Sequence, residues 1–301
     1  MDVFVTGASG YVGGAAARAL RRAGHRVFGL VRNEAKARAV EAHEITPVLG
    51  DLADPTTYTS VAARCAVVVH AAFDNNSRGI PKDRAVVEGL LEATRRGGGA
   101  QTRTLIYTSG VWVHGDTRGA LVDETSPLDP LPLVSWRPPH ESLVLAADGV
   151  RGLVLRPGCV YGGAGGMPGQ LFASAADGVP PEVVGDGGNR WALVHIDDLG
   201  EAYRLAAESG VTREVLNIVE RSSETVREMA VAAARAAGLS GEIRSRPLID
   251  ARKALGPFAD ALAADQRIDG GKAERILGWH PRHRGFVAEA DAFYRAWRAS
   301  R

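Results

Sequence analysis

The chain has 301 residues, with 36 basic against 35 acidic side chains for a formal net charge of +1, and is 45% hydrophobic and 24% charged. A chain of that length and balance buries a large core in one domain or two coupled ones, which excludes a disordered protein. Without a basic excess or a run of like charges, neither nucleic acid nor an anionic membrane is expected as a partner.

The two cysteines, Cys65 and Cys159, are too few to staple the chain, and strand-like residues begin at Asp2, leaving no room for a signal peptide. No apolar stretch reaches the length of about 18 residues that a spanning helix needs. A cytoplasmic location is therefore expected. Only Lys36, Lys82, Lys253 and Lys272 are lysines, so arginine supplies the other 32 basic residues.

In chain order, Val3-Phe4-Val5 predicts a strand ending in Thr6-Gly7, and the apolar spacing of Val12, Ala16, Ala19, Leu20 and Ala23 predicts a helix from Val12 to Ala23. Arg26 to Val31 predicts a second strand, Ala35 to Ala42 a helix, and Ile45 to Leu49 a third strand. Ala66 to Ala72 reads as a fully buried strand, and Leu105-Ile106-Tyr107 and Leu153-Val154-Leu155 as two more. Such alternation implies right-handed crossovers onto a parallel, doubly wound α/β sheet of the Rossmann type. Glycines and prolines crowd Gly158 to Pro181, and helices dominate from about Glu224. The expected division is a dinucleotide-binding domain over 1–160, joined by 193–219, and a smaller, mostly helical and discontinuous substrate domain over 161–301.

Thr6-Gly7-Ala8-Ser9-Gly10-Tyr11-Val12-Gly13 places three glycines at every third position between a strand and a helix. A pyrophosphate needs that arrangement: a tight turn, close approach of the main chain, and free N–H groups at a helix N-terminus. About 20 residues on, where an NAD site usually carries Asp or Glu, the chain has Val31-Arg32-Asn33. Arg32, with Lys36 a turn later, puts positive charge where the extra phosphate of NADP would sit. NADP(H) is the expected cofactor.

The residues now in hand resemble an extended short-chain dehydrogenase/reductase, the group that contains nucleotide-sugar epimerases and dehydratases. The resemblance runs through the glycine turn, Asp51-Leu52, His70-Ala71-Ala72, Tyr107-Thr108-Ser109, Leu155 to Gly162 and Val194 to Leu199. It implies a dinucleotide held by Gly7, Ser9, Gly10, Tyr11, Val12 and Gly13 and lined by Thr108. Asp51 and Leu52 would meet adenine, Ala71 and Ala72 would lie near the nicotinamide ribose, and Pro157, Gly158 and Val160 would border the nicotinamide amide. His195 and Asp197-Asp198 are expected to anchor the second domain to the first.

The family's Tyr-x-x-x-Lys pair has no counterpart here. Four residues after Tyr11, Tyr58, Tyr107, Tyr161, Tyr203 and Tyr294 come Ala15, Ala62, Val111, Gly165, Ala207 and Arg298. Trp136 and His140 have the right separation but different chemistry, and Gly110 stands where the catalytic hydroxyl belongs. A proton would then come from water, from the substrate, or from His114, His140 or Ser109, while hydride transfer itself rests on positioning. Glu141, after Pro138-Pro139, is expected to complement a helix dipole. No metal spacing is present.

Phe73, Trp112, Trp136, Met167 and Trp191 are expected to face the cleft, which suits a large, flat, apolar guest. In the absent triad and the overall pattern the chain resembles the divergent ketoreductases of antibiotic pathways, such as those acting on angucyclinones in simocyclinone biosynthesis. The expected activity is NADPH-dependent reduction of an aromatic, polyketide-type ketone. The alternatives are a non-catalytic NADP-binding regulator and, behind it, a nucleotide-sugar epimerase or dehydratase. Either a monomer or a homodimer is compatible with the short helix after Pro138-Pro139.

Overall fold

The computed structural model describes residues 1–96, 102–163, 165–283 and 285–301. In the first half the chain runs β1 (Asp2–Thr6), α1 (Tyr11–Arg22), β2 (Arg26–Val31), α2 (Glu34–Glu41), β3 (Thr46–Leu49), α3 (Thr59–Ala62), β4 (Val67–His70), α4 (Gly79–Arg96), β5 (Arg103–Thr108), β6 (Leu121–Val122), α5 (Arg137–Leu145) and β7 (Val150–Pro157). The second half runs β8 (Cys159–Gly162), β9 (Gly165–Gly166), α6 (Gln170–Ala176), β10 (Glu182–Val184), β11 (Leu193–His195), α7 (Ile196–Glu208), β12 (Glu214–Ile218) and α8 (Val226–Ala236). It ends with β13 (Arg244–Arg246), α9 (Leu248–Leu255), α10 (Phe258–Ala263), β14 (Arg267–Ile268), α11 (Gly271–Leu277) and α12 (Ala290–Ala299).

The large sheet has seven strands in the order β12-β7-β5-β4-β1-β2-β3, each paired in parallel with its neighbours. Its central strands are buried on both sides, so successive residues feed opposite cores. Val3, Val5, Val67, Val69 and Ile106 pack on one face, and Phe4, Val68, Leu105 and Tyr107 on the other. Helices α1 and α7 cover the first face. Gly200 makes their approach possible, because a Cβ there would stand 3.0 Å from the Ala15 carbonyl oxygen.

The chain moves outward from β1 to β2 and β3, then returns to place β4 on the other side of β1. A doubly wound sheet binds its ligand at that reversal, beyond the carboxyl ends of the strands. The glycine turn after β1 and Ala71-Ala72 after β4 both lie there.

Beyond β7 the chain builds a second apolar cluster from Tyr161, Phe172, Trp191, Phe286, Phe293, Tyr294 and Trp297. Around it stand the small sheets β11-β8-β9 and β10-β13 and helices α6, α8 and α12. Residues 214–218 leave this region and close the edge of the large sheet as β12. No helix among the described residues is long and apolar enough to cross a membrane.

Candidate functional site

Gly7 leaves β1 at φ +73°, and a Cβ on it would stand 3.0 Å from Ala71 O and Ala72 N. Gly13 is tighter still, since a Cβ there would come within 2.4 Å of Gly7 O. The turn therefore closes against the loop after β4 only because side chains are missing. Thr6 Oγ1 fixes the other side, accepting from Ala71 N at 3.2 Å and Ala72 N at 3.3 Å, and pairing with His70 Nδ1 at 2.7 Å.

Helix α1 starts at Gly10 with no side-chain cap and no acidic residue in its first turn. Its leading N–H groups thus remain free for an anion, with the positive end of the helix dipole behind them. Gly7, Ser9, Gly10, Tyr11, Val12, Gly13, Arg32, Lys36, Leu52, Ala71 and Ala72 together line a crevice of about 500 Å³. The donor set and the close backbone approach fit a dinucleotide pyrophosphate. Tyr11 donates its hydroxyl to Gly162 O at 2.6 Å and so ties the turn to the end of β8.

At the end of β2, Asn33 caps α2 through Lys36 N at 3.0 Å, leaving Arg32 and Lys36 facing the crevice. Arg32 is engaged: its guanidinium bonds Asp74, which also accepts from Lys82 Nζ at 2.8 Å. Asp51 turns away from the crevice wall, its Oδ1 accepting from Ala53 N at 2.7 Å in a local turn, whereas Leu52 is on the wall.

The crevice shares Val12, Ala71 and Phe73 with a larger cleft of about 620 Å³. Thr108, Ser109, Pro157, Gly158 and Val160 form its floor, and Phe73, Trp112, Trp136 and Met167 its apolar walls. Phe73 and Trp136 stack with centroids 4.9 Å apart. Ser109 is 6% exposed and its Oγ has no protein partner among the described residues. Thr108 Oγ1 is held by the Tyr203 hydroxyl at 2.6 Å. Arg137, Asn75 and Asn76 also reach the cleft; the sequence gives no periodic or motif signal for them.

Trp191 is not at the cleft. It packs in the C-terminal cluster with Nε1 donating to Leu262 O at 3.1 Å, because it precedes β11 on the side of Leu193, which joins the same cluster, whereas Val194 packs in the large-sheet core. His140 and His114 also fall short of the cleft wall. His140 is 3% exposed, beneath Trp136, with Nδ1 donating to Asp83 Oδ2 at 2.8 Å. His114 is buried against Asn217 Oδ1 at 3.2 Å, and burial, with Arg156 nearby, pushes its pKa down. Glu141 does not complement the dipole as expected, because α5 begins at Arg137 and has no acidic residue in its first turn; Glu141 instead forms a buried ion pair with Arg156, whose Nε donates at 2.9 Å.

Asp83 gathers His140, the Tyr107 hydroxyl at 2.9 Å and His70 Nε2 at 3.3 Å into one buried knot between the cleft and the glycine turn. Burial works against its ionisation, but the contacts from His140 and His70 outweigh it and hold the carboxyl well below the usual range. Asp198 accepts from His283 N at 3.1 Å and bonds Trp279 through its own carbonyl, fastening α7 to the segment after α11.

A doubly wound parallel sheet with a glycine turn at its reversal point and an adjoining apolar cleft defines a dinucleotide-fold protein of the epimerase and reductase class. The chain belongs to the NAD dependent epimerase/dehydratase family, whose sequence profile matches residues 3–219. It is 29% identical over 306 residues to a 4-hydroxy-2-methyl-3-oxo-4-farnesyl-3,4-dihydroquinoline-1-oxide ketoreductase of Stigmatella aurantiaca, covering 93% of this chain and 92% of that one. It is 30% identical to a 3-diazoavenalumate denitrifying reductase of a Streptomyces species, covering 94% and 97%. The fold is similar to that of human epimerase family protein SDR39U1 with NADPH, at TM-score 0.79, 21% identity and coverage of 98% and 99%. It is also similar to that of UDP-glucuronic acid 4-epimerase from Bacillus cereus with NAD, at TM-score 0.79, 19% identity and coverage of 99% of both chains.

Proposed function

We propose that the protein is an NADPH-dependent ketoreductase that reduces a carbonyl of a large aromatic, polyketide-type metabolite. The observation that carries the reading is the junction at Val12, Ala71 and Phe73, where the phosphate-binding crevice opens directly into a cleft walled by Phe73, Trp112, Trp136 and Met167. A pyridine nucleotide spanning the crevice would meet an apolar aromatic guest at that point. Two relatives, at 29% and 30% identity, are named as reductases, one of them a ketoreductase, which favours reduction over epimerisation.

When bound, the reduced dinucleotide supplies a hydride to the carbonyl carbon while the carbonyl oxygen takes a proton, leaving an alcohol and the oxidised cofactor. This chain's residues supply placement. The glycine turn fixes the phosphates, and Arg32 with Lys36 favours the extra phosphate of NADP. Gly158 lets the floor pack directly on the backbone at Ala192, since a Cβ there would come within 2.5 Å of Ala192 O. The stacked pair Phe73 and Trp136 orients a flat ring and keeps water out.

No Tyr-x-x-x-Lys pair occurs in the sequence, and His114 and His140 lie behind the cleft wall. The proton therefore comes from water or from an acidic hydroxyl of the substrate, with Ser109 Oγ as the free hydroxyl on the floor. We place the cofactor in residues 1–160 with 193–219; the substrate cleft is walled mostly by that same part, and the expected substrate-binding part over 161–301 adds Met167 to it. The test is NADPH oxidation, followed by absorbance, over a panel of quinonoid and aryl ketones. Turnover with at least one polycyclic ketone is expected; tight cofactor binding with no consumption across the panel overturns the reading.

A further inference from the structure

Among the described residues, Arg137 is the one charged side chain on the wall of the cleft. Its guanidinium lies 4.5 Å from the Trp136 ring centroid and 5.8 Å from that of Phe73, beside the stacked pair and close to both rings. Nη1 donates to Thr108 O at 2.9 Å, which fixes the group at the end of β5. Among the described residues it makes no ion pair, in contrast to Arg32, Arg156 and Arg204, each of which has a carboxylate partner.

A guanidinium carries five N–H donors, and the Thr108 carbonyl uses one of them. Leaving a half-buried cation without a counter-ion in an apolar cleft is unfavourable, and a planar, bidentate anion is the partner its geometry matches best. We infer that the guest of this cleft is an aromatic acid, a planar ring bearing an anionic oxygen group, and that Arg137 is the residue that selects it. The ring lies on the Phe73 and Trp136 stack, and the carboxylate or ionised phenol meets the free edge of the guanidinium. This rests on the ketoreductase reading for the reaction but not for the binding, so the two can fail separately.

The experiment is equilibrium binding to the NADP-loaded protein, by tryptophan fluorescence, of two matched pairs that need not react. Naphthoate is compared with naphthamide, and a hydroxynaphthoquinone with its methyl ether. Naphthoate or the hydroxyquinone should bind about tenfold or more tightly than its neutral counterpart, the scale of one charge-assisted hydrogen-bonded pair. The pair that shows the gap tells carboxylate from phenolate. Arg137→Met should erase the gap while neutral affinity stays within about twofold, and Arg137→Lys should keep part of it.

Equal affinity for acid and neutral forms in the wild type overturns the inference, as does a gap that survives in Arg137→Met. Should Arg137→Met melt early, a salt titration on the wild type decides instead. The acid's affinity should fall with ionic strength while the amide's holds, and parallel behaviour overturns the assignment. Acid selectivity without consumption of NADPH by any ketone would remove the ketoreductase reading and leave Arg137 as the selector. Turnover of neutral ketones with no preference for acids would do the reverse.

Discussion

His140 Nδ1 donates to Asp83 Oδ2 across 2.8 Å, with both side chains 4% exposed. The contact binds α5 to α4 beneath Trp136, so the wall of the cleft stands on a buried imidazole–carboxylate hydrogen bond. Because the folded-state pKa of Asp83 is held below its usual value, the carboxylate stabilises the fold above the unfolded value of 3.8, and that contribution is lost as pH falls through the folded value. Asp83→Asn should cost about 3 kcal/mol or more in urea unfolding at neutral pH, with the difference from wild type shrinking on acidification. Unchanged unfolding at neutral pH would show that the knot adds nothing.

Glu220 shifts the opposite way. It is buried, accepts the Tyr161 hydroxyl at 2.8 Å, and burial pushes its pKa up to about 7 from 4.5. A raised carboxyl favours the protonated folded state. Its contribution is fully present below pH 4.5 and fades as pH rises through about 7. Thermal unfolding followed from pH 5 to 8 should therefore show Glu220→Gln gaining on the wild type toward the alkaline end, by up to about 3 kcal/mol. A constant difference across the range would contradict the assignment.

Gly13 leaves 2.4 Å between a built Cβ and Gly7 O, less than atoms tolerate. Gly13→Ala must push the turn open and displace the first N–H groups of α1. Isothermal titration should show NADP affinity reduced by about tenfold or more, the equivalent of roughly 1.4 kcal/mol. Ala at position 13 with wild-type affinity would mean that the crevice does not hold the pyrophosphate.

Arg32 is already bonded to Asp74, so an incoming phosphate has to share or take that guanidinium. Arg32→Ala should weaken NADP by about tenfold or more and leave NAD nearly unchanged, as expected for a charge-assisted contact to the extra phosphate alone. Asp74→Asn should tighten NADP, because the competing carboxylate is gone. Equal NADP affinity in wild type and Arg32→Ala removes Arg32 from the account.

The strands were readable because the sheet is buried on both faces: Val67–His70 is apolar almost throughout, and only a central parallel strand accepts such a run. The crevice was readable because glycine spacing is a local property of a strand, turn and helix. The cleft was less so. Phe73, Trp112, Trp136 and Met167 reach it, but Trp191 has the same composition signal and faces the other core. His114 and His140 look chemically able in one dimension, yet their partners are Asn217 and Asp83, 103 and 57 residues away. Arg137 shows the converse. In a chain with 32 arginines nothing local distinguishes it, and its meaning comes from the wall around it, which carries no carboxylate among the described residues.

The central claim is that hydride passes from the bound nicotinamide to a ketone held in the cleft. NADPH deuterated at C4 on the transferred face, incubated in ordinary water with a ketone that turns over, tests it most directly. Mass spectrometry of the alcohol should find one deuterium on the carbinol carbon and none on oxygen after exchange. Product whose carbinol hydrogen comes from solvent, or label retained in the recovered cofactor, would contradict the account.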